Sequence, residues 1–403
     1  MMRRIAIVGG SLAGVHAAEA LRESGYQEEI TLVSADTYLP YDRPPLSKEG
    51  LFSGAAPEKL LLRDPQWYDD NAITTQLGVH AEGLDVDRGQ LRLSSGSDLP
   101  YDGLIVATGS RARRLPTKVG QPPVHTVRDL SDAAELRKDL LPGKHLVLIG
   151  GGFIGLEVAA TARQIGLEVT VIEVSKMPLG RMLGNEVGSW FRKLHRRNGV
   201  NVICGTPLKS IEPGVGGSQV VLDDGQTIHA DVVVAGIGAT PATEWLSDSG
   251  LELARGVRCN SDLSTAAPGV VAAGDIARWY NPLFDEEMRV EHWTNAVEQG
   301  RHAAGTLLGA CDSFSSVPYF WTDQYNAKMR FVGRSDAADV IAIEEMNKNR
   351  LVALYGRDGY IRGAVCVNAP RKLAKYRKAI RDQVPWQDVE PTQSIVAQAM
   401  AQI

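Results

Sequence analysis

Cysteine is scarce in this sequence. There are four, at Cys204, Cys259, Cys311 and Cys366, and none has the close spacing of a redox pair or a zinc ligand set. They are expected to be ordinary thiols. Long apolar runs are missing too, since nothing approaches the roughly 20 residues that cross a bilayer as a helix. Met1-Met2-Arg3-Arg4 has the basic start of a secretory leader, yet only Ile5 to Val8 follow before glycines interrupt. No cleaved segment is expected, and the default location is the cytoplasm. Basic excess is absent: the formal net charge of −5 argues against nucleic acid or an anionic membrane as partner. What remains is an ordinary globular composition, 44% apolar and 23% charged, without low-complexity segments. With domains typically running to roughly 100–200 residues, 403 residues imply two or three of them.

Glycine is plentiful and patterned. Two stretches share one plan: a β-branched strand, a glycine turn, a helix and a second strand. The first runs from Arg4–Val8 through Gly9–Gly14 and a helix to about Glu23, then Ile30–Val33. The second runs from His145–Ile149 through Gly150–Gly155 and a helix to about Ile165, then Val169–Ile172. These are nucleotide-binding βαβ units about one domain apart. Further strands end in small residues at Gly103–Gly109, Val232–Gly236 and Gly269–Asp275, where glycine lets backbone approach a ligand. After about Ser315 the pattern changes to tryptophan, tyrosine and alternating strands such as Met329–Val332 and Val352–Tyr355.

The second turn, Gly150-Gly151-Gly152-Phe153-Ile154-Gly155, carries all three fingerprint glycines and places a pyrophosphate on a helix N-terminus. Glu173 ends the next strand, where a carboxylate binds ribose hydroxyls and repels a 2′-phosphate, favouring NADH over NADPH. Arg181 and Lys176 temper that preference. In the first turn, Gly9-Gly10-Ser11-Leu12-Ala13-Gly14, serine replaces the second glycine, though it is small enough for close approach. Ser34-Ala35-Asp36 follows the next strand, leaving Asp36 either a ribose partner or a solvated side chain. Two dinucleotide sites in one chain suit a flavin that receives a hydride from nicotinamide and can release its electrons singly.

Read by composition alone, Leu39-Pro40-Tyr41-Asp42-Arg43-Pro44-Pro45-Leu46-Ser47-Lys48 is a stiff surface loop or a ligand-binding segment. Taken with both glycine turns, LIVATGS, the Gly-Asp of VVAAGDIA, and VEHWTNAVEQG, it resembles the FAD-dependent ferredoxin reductases that serve bacterial cytochromes P450 and ring-hydroxylating dioxygenases. The likeness runs from the first strand to the FWTDQY segment and implies a glutathione reductase-like α/β fold, with two Rossmann-like domains and a C-terminal α+β interface domain. It implies that Arg43 and Lys48 sit on FAD, with Lys48 near the reactive edge of the isoalloxazine, where a cation stabilises the reduced ring. Asp275 would bind the ribityl hydroxyls, Arg128 would reach the flavin, and Trp293 would cover the ring. Ala35, Ala81, Thr108, Gly109, Gly274 and His292 complete the implied FAD set. Glu157 matches a glutamate beside the nicotinamide ribose, its bland alternative being a solvated helix residue. Gly236, Ile237 and Gly238 join the NAD set.

The implied domains are an FAD domain at 1–110 and 240–315, an NAD domain at 111–239 and an interface domain at 316–403. The implied reaction passes electrons from NADH to a [2Fe-2S] ferredoxin in a monomer or weak dimer, with Lys48, Glu157 and Trp293 catalytic. Reductases of this fold that use a thiol relay place it near the flavin segment. Here the first cysteine is Cys204, so electrons must leave the flavin directly. Arg371, Lys372, Lys375, Arg377, Lys378 and Arg381 form either a docking face for an acidic partner or a solvated helix face. Arg192, Lys193, Arg196 and Arg197 read as solvated surface. Trp321 is either core or lies between flavin and partner. The rival readings are a rubredoxin reductase or an oxidase using oxygen and, from another class, a redox sensor of the apoptosis-inducing-factor type.

Overall fold

The computed structural model describes residues 2–53, 57–116, 123–389 and 394–395. The chain forms two compact units. The first contains Met1–Asp42, Ala56–Arg111 and Thr240–Pro318; the second contains Arg43–Ala55, Ala112–Ala239 and Tyr319–Ile403. Both are built on a Rossmann-like parallel sheet, and the second also carries the C-terminal α+β layer.

In the first unit the sheet order is Val270–Ala272, Gly103–Val106, Arg4–Val8, Glu29–Ser34, Ile73–Leu77, all parallel. Parallel strands covered on both faces need continuous apolar runs rather than alternation. Ile5, Ile7, Leu32 and Ile105 supply them, each essentially inaccessible to solvent. Helix Leu12–Glu23 follows the first strand and packs against helix Trp293–Leu307. The approach is close enough that a Cβ on Gly300 would stand 2.3 Å from the carbonyl oxygen of Ala13. Two small three-stranded sheets, Ala81–Asp85, Gln90–Leu93, Asp98–Pro100 and Val257–Cys259, Ala277–Asn281, Glu286–Met288, complete the unit.

The second unit repeats the plan with Val200–Cys204, Glu168–Glu173, His145–Ile149, Val232–Ala235 and Val124–His125, again all parallel. The meander Leu208–Gly214, Gly217–Leu222, Thr227–Ala230 closes one side of its core, with Ile211, Val220 and Ile228 on Val147, Ile149 and Ile172. Its C-terminal layer is a six-stranded sheet in the order Tyr319–Gln324, Ala327–Gly333, Tyr360–Val367, Leu351–Arg357, Val340–Met346, Ser394–Ile395, all antiparallel. Helix Pro370–Arg381 buries Tyr376 and Ile380. Among the described residues no helix is long and apolar enough to cross a membrane.

His195, in the last turn of helix Gly180–Arg197, is wholly buried. Burial pulls its imidazole down from 6.5 to about 4, with a hydrogen bond to Gln324 opposing. The folded ring is therefore neutral where the unfolded one takes up a proton, so stability falls as pH drops from 6.5 towards 4. A shift of that size corresponds to a loss of up to roughly 3 kcal/mol. Urea denaturation at pH 7, 5.5 and 4.5 should show this component of the acid slope, and His195→Gln should lack it.

Candidate functional site

The two glycine turns superpose in logic, residue for residue. Gly9 and Gly150 leave their strands with φ of +126° and +106°, and a Cβ on either would strike a carbonyl oxygen, Ala107 at 2.1 Å or Gly236 at 2.3 Å. Only glycine fits there. Ser11 and Gly152 then cap helices Leu12–Glu23 and Phe153–Ile165, both extended with negative φ, −144° and −77°. Serine is therefore unstrained at the position where it departs from the fingerprint. The Ser11 hydroxyl makes no bond to its helix, Gly152 has no side chain to make one, and neither first turn carries an acid. The N-terminal N–H groups and positive dipole end are left for an anion. A Cβ on Gly152 would meet nothing nearer than the Gly236 oxygen at 3.9 Å, so its missing side chain leaves room rather than relieving a clash.

At the ends of the following strands the turns diverge. Glu173 accepts the backbone N–H groups of Gly151 and Ser175, both at 2.7 Å. Ser34 stands in the equivalent place: its hydroxyl accepts the Asp36 N–H at 3.3 Å, and it lies against Gly10. Asp36 is half-buried and accepts the Tyr41 hydroxyl at 2.6 Å and the Tyr38 N–H, while Ala35 is exposed.

In the first unit the Gly-Asp motif comes to the first turn, since a Cβ on Gly274 would approach the Ala13 methyl to 3.1 Å. Asp275 accepts the Ser110 hydroxyl at 2.8 Å through its carboxylate and Arg289 through its carbonyl. Thr108 and Gly109 bond the backbone of Ala242. His292 caps helix Trp293–Leu307. The indole N–H of Trp293 donates to Asp42 at 2.7 Å, which ties the EHW motif to the start of the PYDRPPLSK segment. Ala81 opens the edge strand Ala81–Asp85.

In the second unit Gly236-Ile237-Gly238 lies against the second turn, with the Gly238 carbonyl accepting the Arg113 N–H. Ile154 is exposed at the helix start, and Phe153 meets Phe320 edge-on at 4.7 Å. Arg181 is held by Ser175, next to Glu173. Arg128 donates its N–H to Asp132 at the start of helix Leu130–Asp139, and Arg43 precedes the 3-10 turn Pro44–Ser47.

Glu157 is not the solvated residue of the bland alternative: it is 4% exposed. Its carboxylate receives the Ser47 hydroxyl at 2.5 Å, the Thr322 hydroxyl at 2.6 Å and the Lys48 ammonium at 3.0 Å. One turn along the same helix, Thr161 donates to the Ser47 carbonyl at 2.9 Å. Sequence reasoning gave Ser47, Thr161 and Thr322 no role. The only signal was two hydroxyl residues near the motifs that hold Lys48 and Trp321.

The cysteines stay apart and unpaired. Burial pushes the thiols of Cys204, Cys259 and Cys366 up, the last two to about 12, the reverse of a reactive thiolate. On helix Pro370–Arg381, Lys372 pairs with Glu344 and Lys378 with Asp382. Arg371, Lys375 and Arg377 remain exposed, with Arg377 over the Tyr319 ring at 5.9 Å. Tyr319 stacks on the half-buried Trp321.

The sequence pattern of pyridine nucleotide-disulphide oxidoreductases matches residues 3–300, and a reductase C-terminal pattern matches 319–395. The chain belongs to the pyridine nucleotide-disulphide oxidoreductase family. It is similar to the ferredoxin–NAD(+) reductase component of the anthranilate 1,2-dioxygenase system of Burkholderia cepacia, 36% identical over 96% of this chain and 97% of that one. It is also similar to the putidaredoxin reductase of Pseudomonas putida, 35% identical over 99% and 98%. A covalent putidaredoxin reductase–putidaredoxin complex matches its structure with a TM-score of 0.91 at 35% identity, covering 95% and 94% of the two chains.

As an oxidoreductase of this family it takes FAD and NADH as its cofactors, and the two turns fit them: each leaves a helix N-terminus open for a pyrophosphate. Gly152→Ala should separate ligand from fold. Unfolding free energy should change by less than about 1 kcal/mol, the usual cost of alanine at a cap, while the NADH dissociation constant rises about tenfold or more as the pyrophosphate is pushed away. Isothermal titration beside urea denaturation checks both.

Proposed function

We propose that this protein is an FAD-dependent reductase that draws electrons from NADH and delivers them to a [2Fe-2S] ferredoxin supplying a cytochrome P450 or a ring-hydroxylating dioxygenase. The reading rests on near-complete coverage, C-terminal segment included, by reductases of such systems at 35–36% identity. It places the enzyme in the cytoplasm as a monomer or weak dimer, with FAD on 1–110 and 240–315, NAD on 111–239, and the partner served by 316–403.

The flavin, when bound, supplies the ability to take an electron pair from a hydride donor and give it up one electron at a time. The chain's residues bind, orient and polarise. The N–H groups beyond Gly9 and Ser11 hold one pyrophosphate, and Asp275 hydrogen-bonds the ribityl chain. The N–H groups beyond Gly150 and Gly152 hold the other, with Glu173 on the adenosine ribose. Lys48, kept in place by Glu157, sets a fixed positive charge for the reduced ring, with Arg43 and Arg128 as further cationic contacts. Trp293, anchored on Asp42, presents a flat aromatic face. No thiol carries electrons onward, so they leave singly to a docked carrier.

Anaerobic NADH should bleach the flavin, and mixing with [2Fe-2S] ferredoxins should restore its colour far faster than air does. Rapid reoxidation by air alone would favour an oxidase, and rubredoxin outpacing every ferredoxin would favour a rubredoxin reductase. A long-lived NADH complex that reduces no acceptor would favour a sensor. On the donor side, Glu173→Ala should raise kcat/KM for NADPH relative to NADH by about tenfold or more, because the carboxylate no longer opposes a 2′-phosphate. On the acceptor side, Arg371→Glu with Lys375→Glu should slow association with an acidic ferredoxin by about tenfold at low salt, an effect that fades as salt rises.

A further inference from the structure

Behind Glu157 the polar contacts continue into the protein. Thr322 and Gln324 are alternate residues of the strand Tyr319–Gln324 and share its inner face, each 1% exposed. The Gln324 amide N–H donates to the Thr322 hydroxyl at 3.1 Å, and the Gln324 carbonyl lies 2.8 Å from Nε2 of His195.

The donors settle the direction. The Thr322 hydroxyl spends its proton on Glu157, so it can only accept from Gln324. Gln324 therefore turns its carbonyl to His195, which must carry its proton on Nε2. The other nitrogen, Nδ1, is buried without a partner, as the lone pair of that tautomer would be. Tyr325 meets the ring edge-on at 5.3 Å. Every proton from His195 through Gln324 and Thr322 thus points towards Glu157. Lys48 and Ser47 complete the carboxylate from its other side.

We propose that Thr322, Gln324 and His195 are positioning residues, forming a one-way buried hydrogen-bond chain that holds the Glu157 carboxylate, and through it the Lys48 ammonium, in a single orientation for the reaction with NADH. The catalytic part rests on the reading of Lys48 as the cation beside the flavin; the chain itself does not. Such chains are high-stakes, because a buried member that loses its partner pays its full desolvation cost or reorients. The threonine is the joint, since valine has its shape but not its hydroxyl.

The test uses holoenzyme labelled with 15N-histidine, in wild type, Thr322→Val and Thr322→Ser, with the His195 ring signals assigned by their loss in His195→Gln. Wild type and Thr322→Ser should show one neutral tautomer, protonated at Nε2. Thr322→Val should show a mixture, because Gln324 is free to turn over. In stopped-flow mixing with NADH, Thr322→Val should bleach the flavin about tenfold more slowly, the worth of one such hydrogen bond, with half-saturating NADH unchanged within about twofold, and Thr322→Ser should recover the rate. Should Thr322→Val not accumulate as holoenzyme, Gln324→Met carries the same expectations. A wild-type ring protonated at Nδ1, or a slowed variant whose His195 signals are unaltered, would overturn the chain. An unaltered rate beside altered signals would overturn its catalytic part. If NADH fails to bleach even the wild-type flavin, the proposed function falls instead, and the His195 signals alone decide whether the chain exists.

Discussion

Taking a carboxylate out of water costs several kcal/mol unless charge and hydrogen bonds replace the solvent. Glu157 sits inside that constraint. Its helix, Phe153–Ile165, packs on a parallel sheet, and the nearest hydroxyl on it, Thr161 one turn along, is spent on the Ser47 carbonyl rather than on the carboxylate. The replacements come from elsewhere in the chain: Ser47 and Lys48 from the segment that begins at Arg43, and Thr322 from the first strand of the C-terminal sheet. One buried charge therefore obliges three segments remote in sequence to meet, and the second unit holds all three. Removing any one donor leaves the buried carboxylate short of a partner, so each of these local polar contacts bears on how the three segments meet.

The same economy appears in the two glycine turns. Backbone geometry is alike where sterics dictate it, at positive φ on Gly9 and Gly150, and the residue type is free to differ where no neighbour crowds it, at Ser11 and Gly152. Beyond the turn, the second unit uses a carboxylate, Glu173, to bond the loop's own N–H groups, whereas the first uses the neutral hydroxyl of Ser34. The strand after each turn thus ends in a charged acceptor in the second unit and a neutral one in the first, and the distinction lies in one side chain per unit.

Much of this was legible in the sequence because it is written in local patterns. Strand Arg4–Val8, strand His145–Ile149 and both following helices carry their period, their glycine turn and their caps within a few residues. The short antiparallel strands were harder to read, since Leu208–Gly214 alternates only weakly and Thr227–Ala230 alternates over just four residues, and both are defined by the core they close. Partnerships across the sequence were not legible at all. Trp293 and Asp42 both stood in recognised motifs, yet nothing local links an indole to a carboxylate 251 positions away. Thr322 and Gln324 read as ordinary alternation in a strand; only the packing of that strand gives their inward side chains something to bond.

The cysteines and the charges bear jointly on how electrons leave. A thiol relay needs a thiolate near the donor, and such thiolates arise beside cations or helix N-termini. Two open helix N-termini follow Ser11 and Gly152, and no cysteine stands at either. Three of the four thiols are pushed the other way by burial. An acceptor must therefore approach the flavin itself, and approach is a problem of encounter and orientation rather than of covalent chemistry. On a chain of net charge −5, the exposed cations Arg371, Lys375 and Arg377 project from one short helix, with Arg377 lying over the Tyr319 ring that stacks on Trp321. A local basic face on an acidic molecule steers an acidic partner to one patch while the remaining surface repels it. The aromatic pair beneath Arg377 belongs to the strand whose inner face holds Glu157, so the basic helix face and the buried carboxylate share one structural element.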